Sequence, residues 1–236
     1  MLWYIRKKFL ENEFTALTTI KHKNILEVYH IIRTDDCSYV IMEFLPGGSL
    51  GLKVRGLGIS ENQARFWFKQ VTEALNFMHI EHKTCHRFIN HCNILLDANQ
   101  NCRLTNFRYA KPMTTNHSMT NLIVGSPGFF PPEMTMKLER YNPFAADAWA
   151  MGVLLYYMLN AAYPFKYPGR QNNEGLKAFV DHQLRGCVHR TDLRVAPSSL
   201  VQDFIKRCLD PNPETRFTTQ QMLDHQWLRN EKRQQV

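Results

Sequence analysis

The sequence predicts an α+β fold, in which a helix and a strand pair precede a mostly helical body holding a second, small strand pair. Three observations predict it. Apolar residues recur at helical spacing over residues 5–21 and again after Ser60. Two runs rich in β-branched and aromatic residues, 24–32 and 38–45, lie between those helices. From Pro143 onward the pattern is helical almost throughout.

The elements follow in order. Leu10, Phe14, Leu17 and Ile20 form the apolar stripe of the first helix. "NILEVYHII" and "SYVIMEFL" flank the polar "RTDDC", the pattern of a hairpin. "PGGSL" (46–50) ends the strand pattern. Gly47–Gly48 is the expected joint between a small lobe, 1–45, and a large one, 46–230. Ser60 and Gln63 are spaced as a capping box at the head of a long helix, whose stripe is Ala64, Phe68, Val71, Leu75 and Met78. "CHRFINHCN" (85–93) then leads into the strands "NILLD" and "CRLTNF", joined by a turn at "ANQN". A loop of roughly 35 residues follows, and loops that long are usually functional or disordered. "AWAMGVLLYYMLNAAY" (148–163) is too short to span a bilayer and is interrupted by Asn160, so it reads as a buried helix. Thr218 and Gln221 are spaced as a second capping box. Residues 231–236 read as a polar tail.

Composition excludes several classes. The 236 residues are 44% hydrophobic and 21% charged, ordinary for a folded domain. The net charge of +8 is scattered, with local groups only at Arg6, Lys7, Lys8 and at Arg229, Lys232, Arg233. No nucleic-acid or membrane partner is therefore expected. The six cysteines form no C-x-x-C and follow no secretory signal, so reduced thiols and a cytoplasmic location are expected.

The motifs, in chain order, resemble the protein kinase family over about residues 5–230. "YVIMEFLPGGSL" resembles the kinase strand and hinge. "HRFINHCN" resembles the catalytic loop H-R-D-x-x-x-x-N, and "TNFR" stands where D-F-G belongs. "GSPGFFPPE" resembles the end of an activation segment, and "DAWAMGV", "DPNPETRFT" and "HQWL" resemble helices of the large lobe. The spellings lean toward the calmodulin-dependent and AMP-activated branch, with the testis-specific serine kinases as a nearer group.

The resemblance implies which positions phosphoryl transfer would use. Phe88 stands at the position of the catalytic acid, between His86 and Arg87, which match the loop, and Asn93, which matches a metal ligand. A phenyl ring accepts no proton. Asn106 stands at the principal magnesium position and brings no charge to the cation. Asn90 replaces the loop lysine, and Arg108 replaces a glycine. No G-x-G-x-x-G lid occurs, and the strands that carry the ATP-binding lysine would lie before the first helix, where the chain starts; Glu13 matches the glutamate that pairs with that lysine. A nucleotide, if bound, would meet the hinge at Glu43–Leu45 and the floor at Leu95. ATP and magnesium are the cofactors of the family; none is expected to be required here.

The scaffold positions match better. Asp147, Glu133 and Arg216 match buried polar anchors. Leu17, Val28, Phe107 and His86 match a column joining the lobes, and Leu95, Leu154 and Met158 part of a second. Kept architecture with lost reacting groups resembles a pseudokinase, a kinase fold used as a scaffold or allosteric partner of an active kinase or its substrate, with the partner covering the open edge of the small lobe. The alternative is an atypical serine/threonine kinase. Two further readings concern the same residues. His82, Cys85, His86, His91 and Cys92 crowd together as zinc ligands would, but without a known spacing. Arg87 matches an arginine that holds a phosphate on the activation segment, where Thr114, Thr115, Ser118 and Thr120 are available, but the usual threonine position reads as Leu122; a structural donor is the better reading.

Overall fold

The computed structural model describes residues 2–54, 56, 58–115, 119–169, 173–186 and 197–229, with the side chains of all of these except 2–8 and 173. The tail 231–236, Ser118, Cys187, Lys232 and Arg233 lie outside the described residues.

Helix α1 (Leu2–Thr19) leads into the hairpin β1 (Val28–Arg33) and β2 (Ser38–Met42). The hairpin is shorter than the run 24–32 suggests. Ile25 bridges to Leu104, and Leu26 N–H donates to Leu104 O at 3.0 Å, so this part of the chain pairs with the large lobe instead. Ile31 and Val40, directly paired, turn inward onto the core, while Ile32, Tyr39 and Ile41 are exposed.

Local backbone geometry calls for glycine at both Gly47 and Gly48. Gly47 N–H donates to Leu96 O at 2.9 Å, and a Cβ on Gly47 would meet Leu96 Cβ at 2.6 Å. Gly48 has φ +72°, a backbone that side chains rarely tolerate. There β3 (Gly48–Ser49) joins β5 (Ile94–Leu96) and β6 (Cys102–Leu104) in a three-stranded antiparallel sheet, and a short helix α2 (Leu50–Lys53) follows. β4 (Thr84–Cys85) pairs with β7 (Lys111–Pro112).

The body is built on α3 (Glu61–Ile80) and α5 (Pro143–Asn160). The α3 stripe is buried as its spacing predicts. Only half of its capping box forms, since Ser60 Oγ accepts from Gln63 N–H but no reciprocal bond caps Ser60. The box at Thr218 and Gln221 forms in full at the head of α8 (Thr219–Asp224). α5 is buried on nearly every side, starts at an Asn142 cap and ends at Asn160, where Ala161 turns left-handed. Around it lie α4 (Pro132–Thr135), α6 (Asn173–Arg185), α7 (Ser199–Cys208) and α9 (Gln226–Arg229). Among the described residues no helix is long and apolar enough to cross a membrane.

Glu61 ties three helix ends together. Its carboxylate accepts from Ser198 N–H at 2.9 Å, Ser198 Oγ at 2.8 Å, Trp227 Nε1 at 2.9 Å and Arg65 Nη2 at 3.1 Å. Burial pushes this carboxyl up, but the donors at Ser198 and Trp227 and the Arg65 charge outweigh it and hold it below its ordinary value. A depressed folded pKa contributes stability that is present above the unfolded value, about 4.3, and is lost as pH falls through the folded one. Glu61→Gln should therefore flatten the loss of stability between neutrality and the acid range in urea titrations at stepped pH. An unchanged acid slope would show that the carboxylate's charge contributes nothing.

Candidate functional site

The loop 86–93 hangs from one buried carboxylate. Asp147, on α5 and 1% exposed, accepts from His86 N–H and Arg87 N–H, both at 2.7 Å, and from His79 Nε2 at 3.0 Å. Those bonds hold Arg87 at φ +62°. His86 Nδ1 accepts from Phe88 N–H at 3.2 Å, so Nε2 carries the proton donated to Thr105 O at 3.1 Å. Complete burial lowers the His86 pKa to about 4, against the opposing pull of Asp147, and keeps the ring neutral. Its ring meets Phe107 edge-on at 5.0 Å, and Leu17, Val28 and Phe107 are buried in the same core.

The would-be reacting positions are occupied differently. Phe88 lies half-buried against the Tyr109 ring, with centroids 5.0 Å apart. Arg87 Nε donates to Tyr109 O at 2.7 Å. Arg87 also lines a cavity of about 20 Å³ shared with Phe88, Gly125, Ser126 and Tyr141, room for a single water. Gly125, at φ +115°, closes that cavity where a Cβ would meet Arg87 O at 2.8 Å. Of the phosphate-bearing candidates, Thr120 is buried in a bridge to Tyr141.

Asn93 and Asn106 are brought together, but onto each other. Asn106 Nδ2 donates to Asn93 Oδ1 at 3.0 Å, and Asn93 Nδ2 donates to Phe88 O at 2.8 Å. The oxygen that Asn93 would turn to a magnesium ion is already accepting. Neither residue carries negative charge, and among the described residues no group of three His, Cys, Asp or Glu side chains is placed to hold a metal. The pair does not fit a magnesium centre, which takes charged oxygen ligands.

Nothing in the sequence pattern points to Asn90 as an organiser, yet its Oδ1 accepts from Cys92 N–H at 2.8 Å and Asn93 N–H at 3.0 Å. Its Nδ2 donates to Ser126 Oγ at 3.1 Å, tying the loop to the 125–133 segment. Its neighbours Ile89 and His91 mark no turn, although an asparagine side chain readily caps nearby N–H groups.

The nucleotide-facing candidates are dispersed. The Glu43 side chain accepts from Glu27 N–H at 2.8 Å and Arg103 Nε at 3.1 Å, beside a cavity lined by Lys21, His22 and Lys23. Leu45 rests on the core, and Leu95 is half-buried in β5 between Ser49 and Arg103. Of the crowded His/Cys set, Cys92 Sγ lies 3.3 Å from His91 Nδ1, but among the described residues no three of its members are placed to hold a metal. His91 stacks on Tyr157 at 4.3 Å and hydrogen-bonds Tyr163 at 2.9 Å, while the Cys85 thiol, pushed up to about 12 by burial and by Asp147, faces Lys111 O.

Two buried anchors behave as expected. Arg216 meets Glu133 through two bonds, 2.7 and 3.0 Å, with its side chain wholly buried. It also stacks over Trp149 at 4.9 Å.

The protein kinase domain family matches residues 5–228. A serine/threonine-protein kinase, kin-29, of Caenorhabditis briggsae is 33% identical over 230 residues, covering 96% of this chain and 27% of that protein. The serine/threonine-protein kinase SAPK9 of Oryza sativa is 31% identical, covering 93% of this chain and 60% of that protein. CBL-interacting protein kinase 9 of the same plant is 28% identical, covering 96% and 49%. The chain thus spans between about a quarter and three-fifths of these relatives' length. With its motifs in kinase order, its α+β fold and a family match over nearly all its residues, the chain belongs to the protein kinase family.

Proposed function

We propose that this domain is a catalytically impaired kinase, a pseudokinase that acts by binding protein as scaffold or allosteric partner of an active kinase or its substrate. The observation that carries the reading is Phe88. The position that must hold and accept from a substrate hydroxyl presents a ring packed on Tyr109. The closed Asn93–Asn106 pair supports it, because magnesium would have to break that bond and would gain no charge by doing so. For the binding role the support is the outer surface of the hairpin. Ile32, Tyr39 and Ile41 are exposed there, Tyr29, Met42 and Phe44 are exposed on and just beyond the same hairpin, and among the described residues β1 and β2 pair only with each other. Exposed apolar patches and open edges attract protein partners.

The second reading, an atypical serine/threonine kinase using ATP and magnesium, is favoured by the relatives, which are kinases of that type, and by the presence of Asn93. One assay decides between them. ATP with magnesium should leave the melting temperature where ATP alone leaves it, and no phosphate should move to protein substrates. A magnesium-dependent shift together with transfer abolished by Asn93→Ala would overturn the pseudokinase reading.

A further inference from the structure

We infer that Phe9, Phe88 and Tyr109 form an aromatic latch, in which Tyr109 is clasped between Phe9 of α1 and Phe88 of the 86–93 loop and holds α1 against the large lobe without any ligand. Phe9 and Tyr109 meet edge-on, with ring centroids 5.2 Å apart and planes at 78°. Tyr109 and Phe88 meet at 5.0 Å and 57°. Both are favourable aromatic geometries. All three rings are half-buried.

The central ring is fixed from below. Arg87 Nε holds the Tyr109 carbonyl at 2.7 Å, and Arg87 is itself held by Asp147 through its N–H. The turn that presents Tyr109, Phe107–Tyr109, begins at Asn106 in the left-handed region, φ +62°. The hydrogen bond from Asn106 to Asn93 ties that turn to the loop carrying Phe88. So the positions that would bind metal and substrate in an active relative here brace one another.

The helix end of the latch also carries a carboxylate. Glu13 lies one turn beyond Phe9, on the same face of α1. Burial pushes its carboxyl up, and the Arg108 charge, next to Tyr109, pulls it back toward ionisation. The consequence of the latch is a fixed disposition of α1 and its hairpin, the surface that the binding reading assigns to a partner. The latch itself does not depend on that reading.

Hydrogen exchange of the α1 amides tests it in the intact chain. Phe9→Ala and Tyr109→Ala should each speed α1 exchange roughly tenfold relative to α5, the order expected for losing one or two aromatic pairs. Tyr109→Phe, which keeps the ring, should exchange like the native protein. ATP with magnesium should leave α1 exchange unchanged. Should Tyr109→Ala fail to fold, Phe9→Ala still decides, because that ring is half-exposed on α1. Native α1 exchange in Phe9→Ala with α5 unperturbed would overturn the latch, and so would slowing of α1 on addition of ATP and magnesium. Phosphate transfer with α1 exchange as predicted would sink the pseudokinase reading and leave the latch standing.

Discussion

Replacing Arg216 by alanine is expected to lower the stability of the domain by about 3–5 kcal/mol, a large share of the ~5–15 kcal/mol that holds a typical domain folded. Arg216 has five N–H donors, and all five are used. Two go to the Glu133 carboxylate at 2.7 and 3.0 Å, and the others to the carbonyls of Asp210, Pro211 and Ala145 at 2.8, 3.3 and 2.9 Å. Truncation leaves the Glu133 carboxylate, 4% exposed, without its cation, and takes one donor from each of three carbonyls. Lysine is no remedy, because one ammonium cannot reproduce the planar fork or the stacking on Trp149. The check is the urea midpoint of Arg216→Ala, Glu133→Gln and the double variant. The single variants should unfold early, and the double variant should recover part of the loss, since an unpaired buried charge costs more than no pair at all. Equal midpoints for native and Arg216→Ala would refute a buried, energetically coupled pair.

What the sequence allowed one to read, and what it did not, divides along the range of the interactions. α3, α5 and the Thr218 cap were legible because helical spacing and capping residues are local signals. Glu133 and Arg216 were legible only through the family resemblance, since they are far apart in the chain and nothing nearby announces the pair. The run 24–32 was read as one strand, but its first residues pair with Leu104 in the body, a competition that strand propensity cannot weigh. The candidate site shows the same limit. That Phe88 is no acid was plain from the letters. That it packs on Tyr109, which in turn meets Phe9, depends on a left-handed turn at Asn106. Likewise the kinase resemblance gives Asn93 and Asn106 each to a metal, and only the three-dimensional arrangement makes them each other's partner.

Asp147→Asn, the smallest change available at that position, should cost about 3 kcal/mol, because it leaves a buried donor facing a donor. Oδ2 accepts from His86 N–H and His79 Nε2, and Oδ1 accepts from Arg87 N–H. Whichever way an amide turns, its NH2 group opposes at least one of these N–H groups. The damage should concentrate in the 86–93 loop. Arg87 holds φ +62°, a conformation that persists only when its surroundings over-determine it, and the Asp147 contact at Arg87 N–H is one of the restraints. Released, Arg87 would no longer hold the Tyr109 carbonyl, and the turn above it would loosen. Hydrogen exchange should therefore accelerate at 84–93 and 107–109 well before α5, and the urea midpoint should fall. Uniform acceleration across the body would instead mean that Asp147 supports the core alone. Of the two carboxylate positions that the kinase resemblance places around this loop, the one kept at 147 is the one the backbone needs, and the one replaced at 88 is the one only a substrate would need.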